Sequence, residues 1–447
     1  MELRRKIYQK MKDWKESDAG KTALLIEGAR RVGKSFIVEQ FGAREYQSCL
    51  MIDFANVEKE VIDLFEYEFS DLDLFFTKLA VLKGKKLYKR ESLIVFDEIQ
   101  MYPKARQLIK YLVADGRYDY IETGSLISLK RNIRNIVLPS EERHIMMQPL
   151  DFEEFLWAMG DEITAGYIAN CFERREPLGE AIHRKTMNVF RQYMLVGGMP
   201  QAVLEYIETK DFERTDRVKR NILSLYRNDV SKFAGGYESK VLAIFDGIPA
   251  QLSRHEKKYK LASIEKEARF RDYEDAFMWL DEAEVINTCF NNMDPNVGLG
   301  LNADRLTLKC YMADTGLLFS HAFSDQELTE EEVYKAILFD RLELNEGMFF
   351  ENVVAQMLRA NGNKLFFYSR SDNQDAMNRM EIDFLIRRNR KICPIEVKSS
   401  LYKKHASLDK FITRYSSKIG DKFIIYTKDF KNEDGILHIP VYMTMCL

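Results

Sequence analysis

Short apolar runs alternate with stretches of helical periodicity over the first 150 residues of the chain. The runs predict five strands, at residues 22–28, 49–54, 92–97, 118–124 and 144–150. Continuous apolar runs of this length are typical of strands that are buried on both faces of a parallel sheet. Because the runs alternate with helices, residues 1–150 are predicted to form an α/β domain in which helices cover both faces of the sheet.

The pattern changes three times after residue 150. Residues 151–236 have helical periodicity, which predicts a helical, lid-like region. Residues 237–330 contain three predicted helices followed by two strands, which is the order of a winged helix-turn-helix. Residues 331–447 run helix, three strands, helix and strand, and we expect a separate small α/β domain there.

Composition narrows the class of protein. The 447 residues are 46% hydrophobic and carry a net charge of −3, which argues against a chain-wide surface for polyanions but leaves local basic patches open. The six cysteines are scattered, which argues against structural zinc and a disulfide framework. The charged start lacks a secretory signal, and no run approaches the about 18 apolar residues that cross a bilayer. We therefore expect a cytoplasmic protein without a membrane partner.

The stretch GARRVGKS, residues 28–35, has the spacing of a phosphate-binding loop. It follows a predicted strand and opens a predicted helix, as that motif requires. Backbone N–H groups of such a loop point at phosphate oxygens, and the helix N-terminus adds its positive end. We expect Lys34 on the β- and γ-phosphates of ATP and Ser35 on Mg²⁺. The predicted nucleotide-binding residues are Gly28, Ala29, Arg30, Arg31, Val32, Gly33, Lys34, Ser35 and Phe36.

Two acids end the predicted strand SLIVFD. Asp97 is placed to hold Mg²⁺, directly or through water, and Glu98 to orient and deprotonate the attacking water. The alternative is a pair of exposed acids that cap the next helix. Thr123 and Ser125 lie at the tip of the following strand, where a hydroxyl contacts the γ-phosphate or the water, or else caps a helix.

Several motifs in sequence order resemble one family of bacterial and archaeal AAA-type ATPases, whose members carry a C-terminal domain of unknown function. These motifs are GARRVGKS, LIVFDEIQ, ETGS, MMQPLDFEEFL and LVGGMP, and the resemblance extends over nearly the whole chain. It implies ATP hydrolysis in the additional-strand division of phosphate-loop enzymes. In that division Asp97 is the magnesium residue, Glu98 the catalytic base and Ser125 the polar sensor.

The resemblance also implies an arginine finger from a neighbouring subunit, and hence self-association. Candidates are Arg131, Arg134 and Arg143. Members of the family usually have a Gly-Arg pair just before the fifth strand, and here the pair is Glu142-Arg143. The alternative for Arg143 is a solvated surface arginine.

The predicted recognition helix of the winged-helix region mixes Arg269 and Arg271 with five acids, which disfavours strong phosphate binding. The basic segment 253–260, SRHEKKYK, is the better candidate for phosphate contact, with a solvated surface as the alternative. We expect an interaction or spacer module, and weak DNA contact is the other possibility. The predicted core positions of the helix are Phe270, Tyr273, Phe277, Met278 and Leu280.

Near the C-terminus, EIDFLI and PIEVK flank a predicted turn at Asn389-Arg390. If the two strands pair antiparallel about that turn, Asp383 lies opposite Glu396 and Glu381 lies opposite Lys398. Opposed carboxylates destabilise a purely structural strand pair. A divalent cation between Asp383 and Glu396 would remove the conflict.

This D…E-x-K pattern resembles the core of restriction-endonuclease-like nucleases. Those nucleases usually have a proline before the aspartate, and this chain has Ile382 at that position. The resemblance implies Glu351, Asp383 and Glu396 as metal ligands, and Asp383, Glu396 and Lys398 as catalytic residues. The alternative is a degenerate nuclease fold kept for binding. Nearby basic residues are expected to hold a phosphate backbone: Arg387, Arg388, Arg390, Lys391, Lys403, Lys404 and His405.

The sequence thus predicts an AAA-type ATPase that uses ATP and Mg²⁺ and is coupled to a nuclease-like, DNA-binding C-terminal domain. The alternative is a regulatory ATPase switch whose C-terminal domain binds a protein or DNA partner without cutting it.

Overall fold

The computed structural model describes residues 2–124, 140–254, 257–324, 333–334, 346–370, 379–399 and 405–447. The chain folds into two compact units. The N-terminal unit contains residues 4–148 and the short segment 282–284, and the C-terminal unit contains residues 1–3, 149–281 and 285–447.

A parallel five-stranded sheet forms the N-terminal unit. Its strands are β1 (Ala23–Gly28), β2 (Ser48–Asp53), β3 (Ser92–Asp97), β4 (Asp119–Gly124) and β5 (Glu142–Met147). Its helices are α1 (Ile7–Ser17), α2 (Lys34–Glu45), α3 (Lys59–Asp63), α4 (Leu72–Lys83) and α5 (Pro103–Asp115). The sheet order is β2-β3-β4-β1-β5, so β4 lies between β1 and β3.

All five predicted strands of this unit are present, with small shifts of their ends. Strands β1, β3 and β4 bury every residue, because separate hydrophobic clusters cover the two faces of the sheet. This burial explains why the strands read as continuous apolar runs.

The C-terminal unit begins with helices and ends with a large sheet. Its helices are α6 (Phe152–Ala158), α7 (Thr164–Arg174), α8 (Glu180–Val196), α9 (Pro200–Thr209), α10 (Phe212–Phe233), α11 (Glu238–Leu252), α12 (Glu274–Glu282), α13 (Thr315–Ala322), α14 (Glu346–Ala360) and α15 (Ala406–Tyr415). Its strands are β6 (Ile286–Asn292), β7 (Ala303–Met312), β8 (Phe366–Arg370), β9 (Met380–Arg388), β10 (Lys391–Val397), β11 (Phe423–Tyr426), β12 (Lys431–Glu433) and β13 (Ile436–Pro440). They form one eight-stranded sheet in the order β12-β13-β11-β10-β9-β8-β6-β7.

A domain boundary is predicted at residue 330, but the strands on both sides of that residue belong to this one sheet. Strands β6 and β7 pair antiparallel, and β6 also pairs in parallel with β8 through Phe290 and Phe366. Helices α11 and α12 precede β6 and β7, and the winged-helix assignment of this region stays a prediction. Local periodicity does not report the pairing of β6 with β8, because the two strands are far apart in the sequence.

Of the five core positions predicted for this region, Tyr273, Phe277 and Leu280 are buried as expected and Phe270 is half-buried, but the prediction is wrong at Met278. The side chain of Met278 is 49% exposed. Successive helical residues are rotated by about 100°, so the residue after Phe277 leaves the buried face.

Strands β9 and β10 form the predicted hairpin in the predicted register. Ile395 lies opposite Phe384, and one further step along the strands brings Glu396 opposite Asp383. The two turn residues, Asn389 and Arg390, have φ of 47° and 64°. Positive φ at both central residues is the property of a two-residue hairpin turn whose twist matches the strands.

Within the described part of the chain, no helix combines the length and apolar character that a membrane crossing needs.

Candidate functional site

The loop between β1 and α2 needs glycine at both of its ends. Gly33 has φ +98° and directly precedes the helix. A Cβ on Gly28 would lie 2.3 Å from the carbonyl oxygen of Met147 on the neighbouring strand β5. The two glycines of the motif therefore satisfy a left-handed backbone at one end and a close strand approach at the other.

Lys34 turns its side chain into this loop. Its buried Nζ donates hydrogen bonds to the carbonyl oxygens of Gly28 (2.9 Å) and Ala29 (3.0 Å). Burial lowers the pKa of Lys34, while the carboxylates of Glu98 and Asp97 act in the opposite direction. The ammonium group thus lies inside the loop and within the field of both predicted acids.

Asp97 receives two hydroxyl groups on one oxygen. Ser35 Oγ donates to Asp97 Oδ1 at 2.9 Å, and Thr123 Oγ1 donates to the same atom. Thr123 is fully buried, and its Oγ1 also accepts the backbone N–H of Glu98 at 3.3 Å. Thr123 therefore contacts both acids, a role that was not predicted from the sequence. Because β3 and β4 are parallel neighbours, their C-terminal ends lie side by side, and this pairing places Thr123 next to Asp97.

Glu98 lies just beyond the end of β3, and its backbone has φ +51°. Its Oε2 accepts a hydrogen bond from Gln100 Nε2. A positive φ at a residue other than glycine is uncommon and is often found at functional positions. Gln100, which the sequence did not single out, orients this carboxylate.

The other predicted loop residues divide by exposure. Ala29 and Val32 are buried in the core beneath the loop, so their side chains are not available to a ligand. Arg30, Arg31 and Phe36 are exposed, Phe36 to 53%.

Arg5 holds the phosphate loop from behind. Its guanidinium donates to the carbonyl oxygens of Val32 (3.1 Å) and Gln148 (2.6 Å), and the residue is buried. The sequence showed Arg5 only as part of a charged N-terminal stretch, because nothing local links it to residue 32.

Arg143 lies away from the phosphate loop. It is paired with Leu24 near the start of parallel strands whose other ends carry Gly28 and Met147. Four residues along a strand are roughly 13 Å. Its side chain forms an exposed ion pair with Asp18 at 2.6 Å. A role for Arg143 in a neighbouring subunit stays a prediction, and three other predicted residues lie outside the described ones: Ser125, Arg131 and Arg134.

In the C-terminal unit, the ammonium of Lys309 lies among three carboxylates. Its Nζ is 3.1 Å from Glu381 Oε1, 3.2 Å from Glu351 Oε1 and 3.3 Å from Asp383 Oδ1. Lys309 comes from β7 and is 1% exposed. We call Lys309 and these three acids the lysine-centred cluster; the lysine was not among the predicted site residues.

Glu351 is the most strongly held acid of the cluster. It also forms an ion pair with Lys257 and accepts a hydrogen bond from the hydroxyl of Tyr311. Burial alone would raise the pKa of Glu351, but Lys309 and Lys257 outweigh it and lower the pKa to about 2. Glu351 is therefore ionised throughout the physiological range.

The charge of Lys309 is also secured by its neighbours. Burial alone would lower the pKa of its ammonium, but Glu351, Asp383 and Glu381 outweigh that effect and hold the pKa well above its ordinary value.

Asp383 and Glu396, the opposed carboxylates of the hairpin, are separated by different partners. Asp383 Oδ2 accepts the backbone N–H of Val397 at 2.9 Å, and Glu396 Oε1 pairs with Lys398 at 2.6 Å. The other oxygen of Glu396 is buried without a hydrogen-bond partner. Burial raises the pKa of Glu396, and Lys398 opposes that shift. Lysines and a backbone N–H offset the repulsion in part, and the charge of Asp383 still raises the pKa of Glu396.

The residues predicted as metal ligands do not fit a divalent cation in this arrangement. A cation binds carboxylate oxygens at about 2.0–2.6 Å, and the position shared by Glu351 and Asp383 is taken by the Lys309 ammonium. Among the described residues, no group of three or more His, Cys, Asp or Glu side chains is arranged to hold a metal ion. The predicted cross-strand pair of Glu381 with Lys398 is also absent, because Glu381 pairs with Lys309.

A cavity of about 860 Å³ lies over the lysine-centred cluster, and we call it the basic cavity. Four residues of the basic segment 253–260 line it, so tertiary structure brings two separately predicted features together. Its lining has nine basic and four acidic residues, an excess of five positive charges: Arg254, Lys257, Lys258, Lys260, Lys309, Arg370, Arg379, Lys398 and Lys410 against Glu351, Glu381, Asp383 and Glu396.

The basic residues of the hairpin turn, predicted to lie beside these acids, do not line the cavity. The turn is at the opposite end of the hairpin, about six residues or roughly 20 Å away. Arg388 packs over the rings of Phe172 and Phe423, and Lys391 donates to the carbonyl oxygen of Ser417 at 2.6 Å. His405 contacts Asp409 at 2.9 Å, and Lys403 and Lys404 lie outside the described residues.

Comparison with protein-family models gives three matches. Residues 20–156 match a family described as AAA domain. This match and the parallel five-stranded sheet make the N-terminal unit similar to AAA-type P-loop domains. Two further stretches match families without an assigned function: residues 187–327 match Domain of unknown function (DUF8612), and residues 346–443 match Domain of unknown function (DUF4143).

Two further comparisons are with curated proteins and with solved structures. No curated protein matches the sequence. Among solved structures, protein VC1899 from Vibrio cholerae aligns over 95% of both chains, with 11% identity and a TM-score of 0.18. A likeness this weak carries no argument about the fold or the function.

The phosphate loop of the N-terminal unit lies beside oxygen donors of the kind that Mg²⁺ prefers. Ser35 Oγ and Asp97 Oδ1 are 2.9 Å apart beside the Lys34 loop, and hydroxyl and carboxylate oxygens suit Mg²⁺. The residues at this site therefore fit Mg²⁺, whereas those of the lysine-centred cluster do not.

Proposed function

We propose that this protein is a cytoplasmic ATPase that binds and hydrolyses ATP at the AAA-type domain and couples its nucleotide state to a nucleic-acid-binding C-terminal unit. The observation that carries the ATPase half is the joint placement of Lys34, Ser35, Asp97 and Glu98 around one loop. In this proposal the loop N–H groups and Lys34 bind the β- and γ-phosphates.

The two acids have separate tasks in this mechanism. Ser35 and Asp97 would hold Mg²⁺, which neutralises charge on the phosphates when it is bound. Glu98, oriented by Gln100 and by the N–H bond to Thr123, takes the proton of the attacking water. An arginine from a second copy of the chain would complete the site and imply self-association.

Substitutions at Lys34 and Glu98 test the ATPase half. Lys34→Ala should lose ATP binding by calorimetry, because it removes the only ammonium that the loop itself provides. Glu98→Gln should bind ATP–Mg²⁺ with near wild-type affinity but release phosphate far more slowly. Normal hydrolysis by Glu98→Gln would assign the base to another residue, and no ATP binding by folded wild type would refute the proposal.

The C-terminal unit supports binding rather than cutting. The basic cavity has five excess positive charges in a chain whose net charge is −3, which suits a phosphodiester backbone. Lys309 lies between Glu351 and Asp383, two of the three acids that the nuclease prediction assigns to its cation. We therefore favour the regulatory switch over the metal-dependent nuclease.

A cleavage assay separates these two functions. Plasmid and single-stranded DNA are incubated with the full chain, with Mg²⁺ or Mn²⁺, and with or without ATP. The proposal expects binding that depends on nucleotide state and no cutting in any arm. If the DNA is cut, and if Asp383→Ala and Lys398→Ala each abolish the cutting, the C-terminal unit is a metal-dependent nuclease.

A further inference from the structure

The lysine-centred cluster joins elements that are distant in the sequence. Lys309 extends from β7, Glu351 from α14, and Glu381 and Asp383 from β9. The Lys309 ammonium also lies 5.2 Å from the centre of the Phe367 ring. A side chain that is 1% exposed and contacts four groups at once has a defined position.

We propose that Lys309 is a built-in cation which replaces a divalent metal in the C-terminal site, so that the basic cavity binds a phosphodiester backbone without metal. The assignment of nucleic acid rests on the proposed function, whereas the position of the cation does not.

Charge balance supports the replacement. The four acids of the cavity, Glu351, Glu381, Asp383 and Glu396, are met by three lysines in direct contact with them. The floor is therefore close to neutral without any added ion. The excess positive charge comes from six further basic residues of the lining: Arg254, Lys258, Lys260, Arg370, Arg379 and Lys410.

The position of Lys309 also supports the proposal that it replaces a divalent metal. A divalent ion bound to Glu351 and Asp383 would have to displace an ammonium that contacts both within 3.3 Å. Displacement would leave a buried lysine facing a doubly charged ion, which electrostatic repulsion strongly disfavours. Removal of Lys309 should consequently expose a latent cation site.

Titration of Mn²⁺ without nucleotide, read by electron paramagnetic resonance, tests this directly. All chains carry Asp97→Asn, which suppresses cation binding at the phosphate loop. The parent should bind no Mn²⁺ at the C-terminal site, and Lys309→Ala should bind one ion at least roughly tenfold more tightly, which is about 1.4 kcal/mol. Adding Asp383→Asn to Lys309→Ala should abolish the gain.

The matched control is Lys398→Ala, which removes a lysine from the same cavity but leaves Lys309 among its three acids. An equal gain of Mn²⁺ in this control would reduce the effect to net charge and overturn the proposal. A parent that binds one Mn²⁺ in a manner abolished by Asp383→Asn would also overturn it. This second criterion decides the matter even if Lys309→Ala fails to fold.

A second experiment tests whether the basic cavity binds DNA without metal. Fluorescence anisotropy measures the affinity for single- and double-stranded DNA, in EDTA and in Mg²⁺ at equal ionic strength. Affinities that agree within about twofold support metal-independent binding, and a tenfold or greater loss in EDTA overturns it. Absence of DNA binding in every arm would refute the nucleic-acid half of the proposed function, and the Mn²⁺ titration would still decide the role of Lys309.

Discussion

At the scale of single residues, Thr123 is the clearest case of a side chain that acts through others. It donates to Asp97 and accepts from the backbone of Glu98, and it is fully buried. Partners of this kind set the direction of the groups that contact substrate or cation. We therefore expect Thr123 to position Asp97 and Glu98 without contacting the substrate itself.

Thr123→Val keeps the shape of the side chain and removes the hydroxyl. We expect kcat for ATP hydrolysis to fall roughly 10- to 100-fold, while the affinity for ATP changes little. Thr123→Ser, which restores a hydroxyl, should recover most of the rate. Equal losses in Val and Ser variants would point to packing instead of the hydrogen bonds.

His144 ties two acids of the N-terminal unit together. Its Nδ1 is 3.3 Å from Glu27 and its Nε2 is 3.3 Å from Glu142. Hydrogen bonds to Glu142 and Glu27 raise the pKa of His144 to about 9, above the ordinary value of 6.5. A raised pKa in the folded state means that the charged histidine stabilises the fold.

The stabilisation by His144 should be complete below about pH 6.5 and should be lost as the pH rises through about 9. The measurement is the urea midpoint of the unfolding transition that ATP shifts, followed from pH 6 to pH 10. His144→Gln should flatten this dependence. The same slope in both proteins would show that another group titrates.

At the scale of elements, the β9–β10 hairpin carries a strained turn. Asn389 and Arg390 both have positive φ, which costs a residue with a Cβ about 1 kcal/mol or more. Asn-Gly is the pair that this turn prefers. The turn nevertheless sets the register that brings Asp383 opposite Glu396.

Arg390→Gly should therefore raise the free energy of unfolding by about 0.5–1 kcal/mol. The matched control is Arg387→Gly, which removes the same charge from within strand β9 and should destabilise by about 0.5–1 kcal/mol. Urea denaturation measures both changes. If Arg390→Gly destabilises as much as the control, the turn argument fails.

At the scale of the whole molecule, charge is distributed unevenly. The chain has a net charge of −3, yet one cavity has an excess of five positive charges. Local concentration of one sign attracts a polyanion that the remaining surface repels. Binding of nucleic acid is therefore expected to depend steeply on salt.

Arg254→Ala should reduce the slope of log affinity against log salt concentration by about 1, because one phosphate contact is lost. Arg387→Ala, which removes an exposed arginine outside the cavity lining, should leave the slope unchanged. DNA binding over a range of salt concentrations measures both. Equal effects would place the phosphate contacts elsewhere.

The features that the sequence predicts correctly are those whose residues lie close together along the chain. The phosphate loop, the acid pair after β3 and the hairpin register are encoded in short stretches, where glycine spacing and strand alternation have direct structural meaning. The domain boundary at residue 330 was misplaced, because β6 joins β8 by a pairing that no local pattern records.

The amino-acid sequence by itself determined the strands of the N-terminal sheet, the phosphate loop with its acid pair, and the register of the β9–β10 hairpin, since loop backbone and strand alternation are local properties. Only the tertiary structure decided which groups meet. It brought Thr123 to Asp97, Arg5 to the phosphate loop, and Lys309 between two of the acids that were predicted to hold a metal. These contacts join separate segments, and their positions follow from the packing of the whole unit.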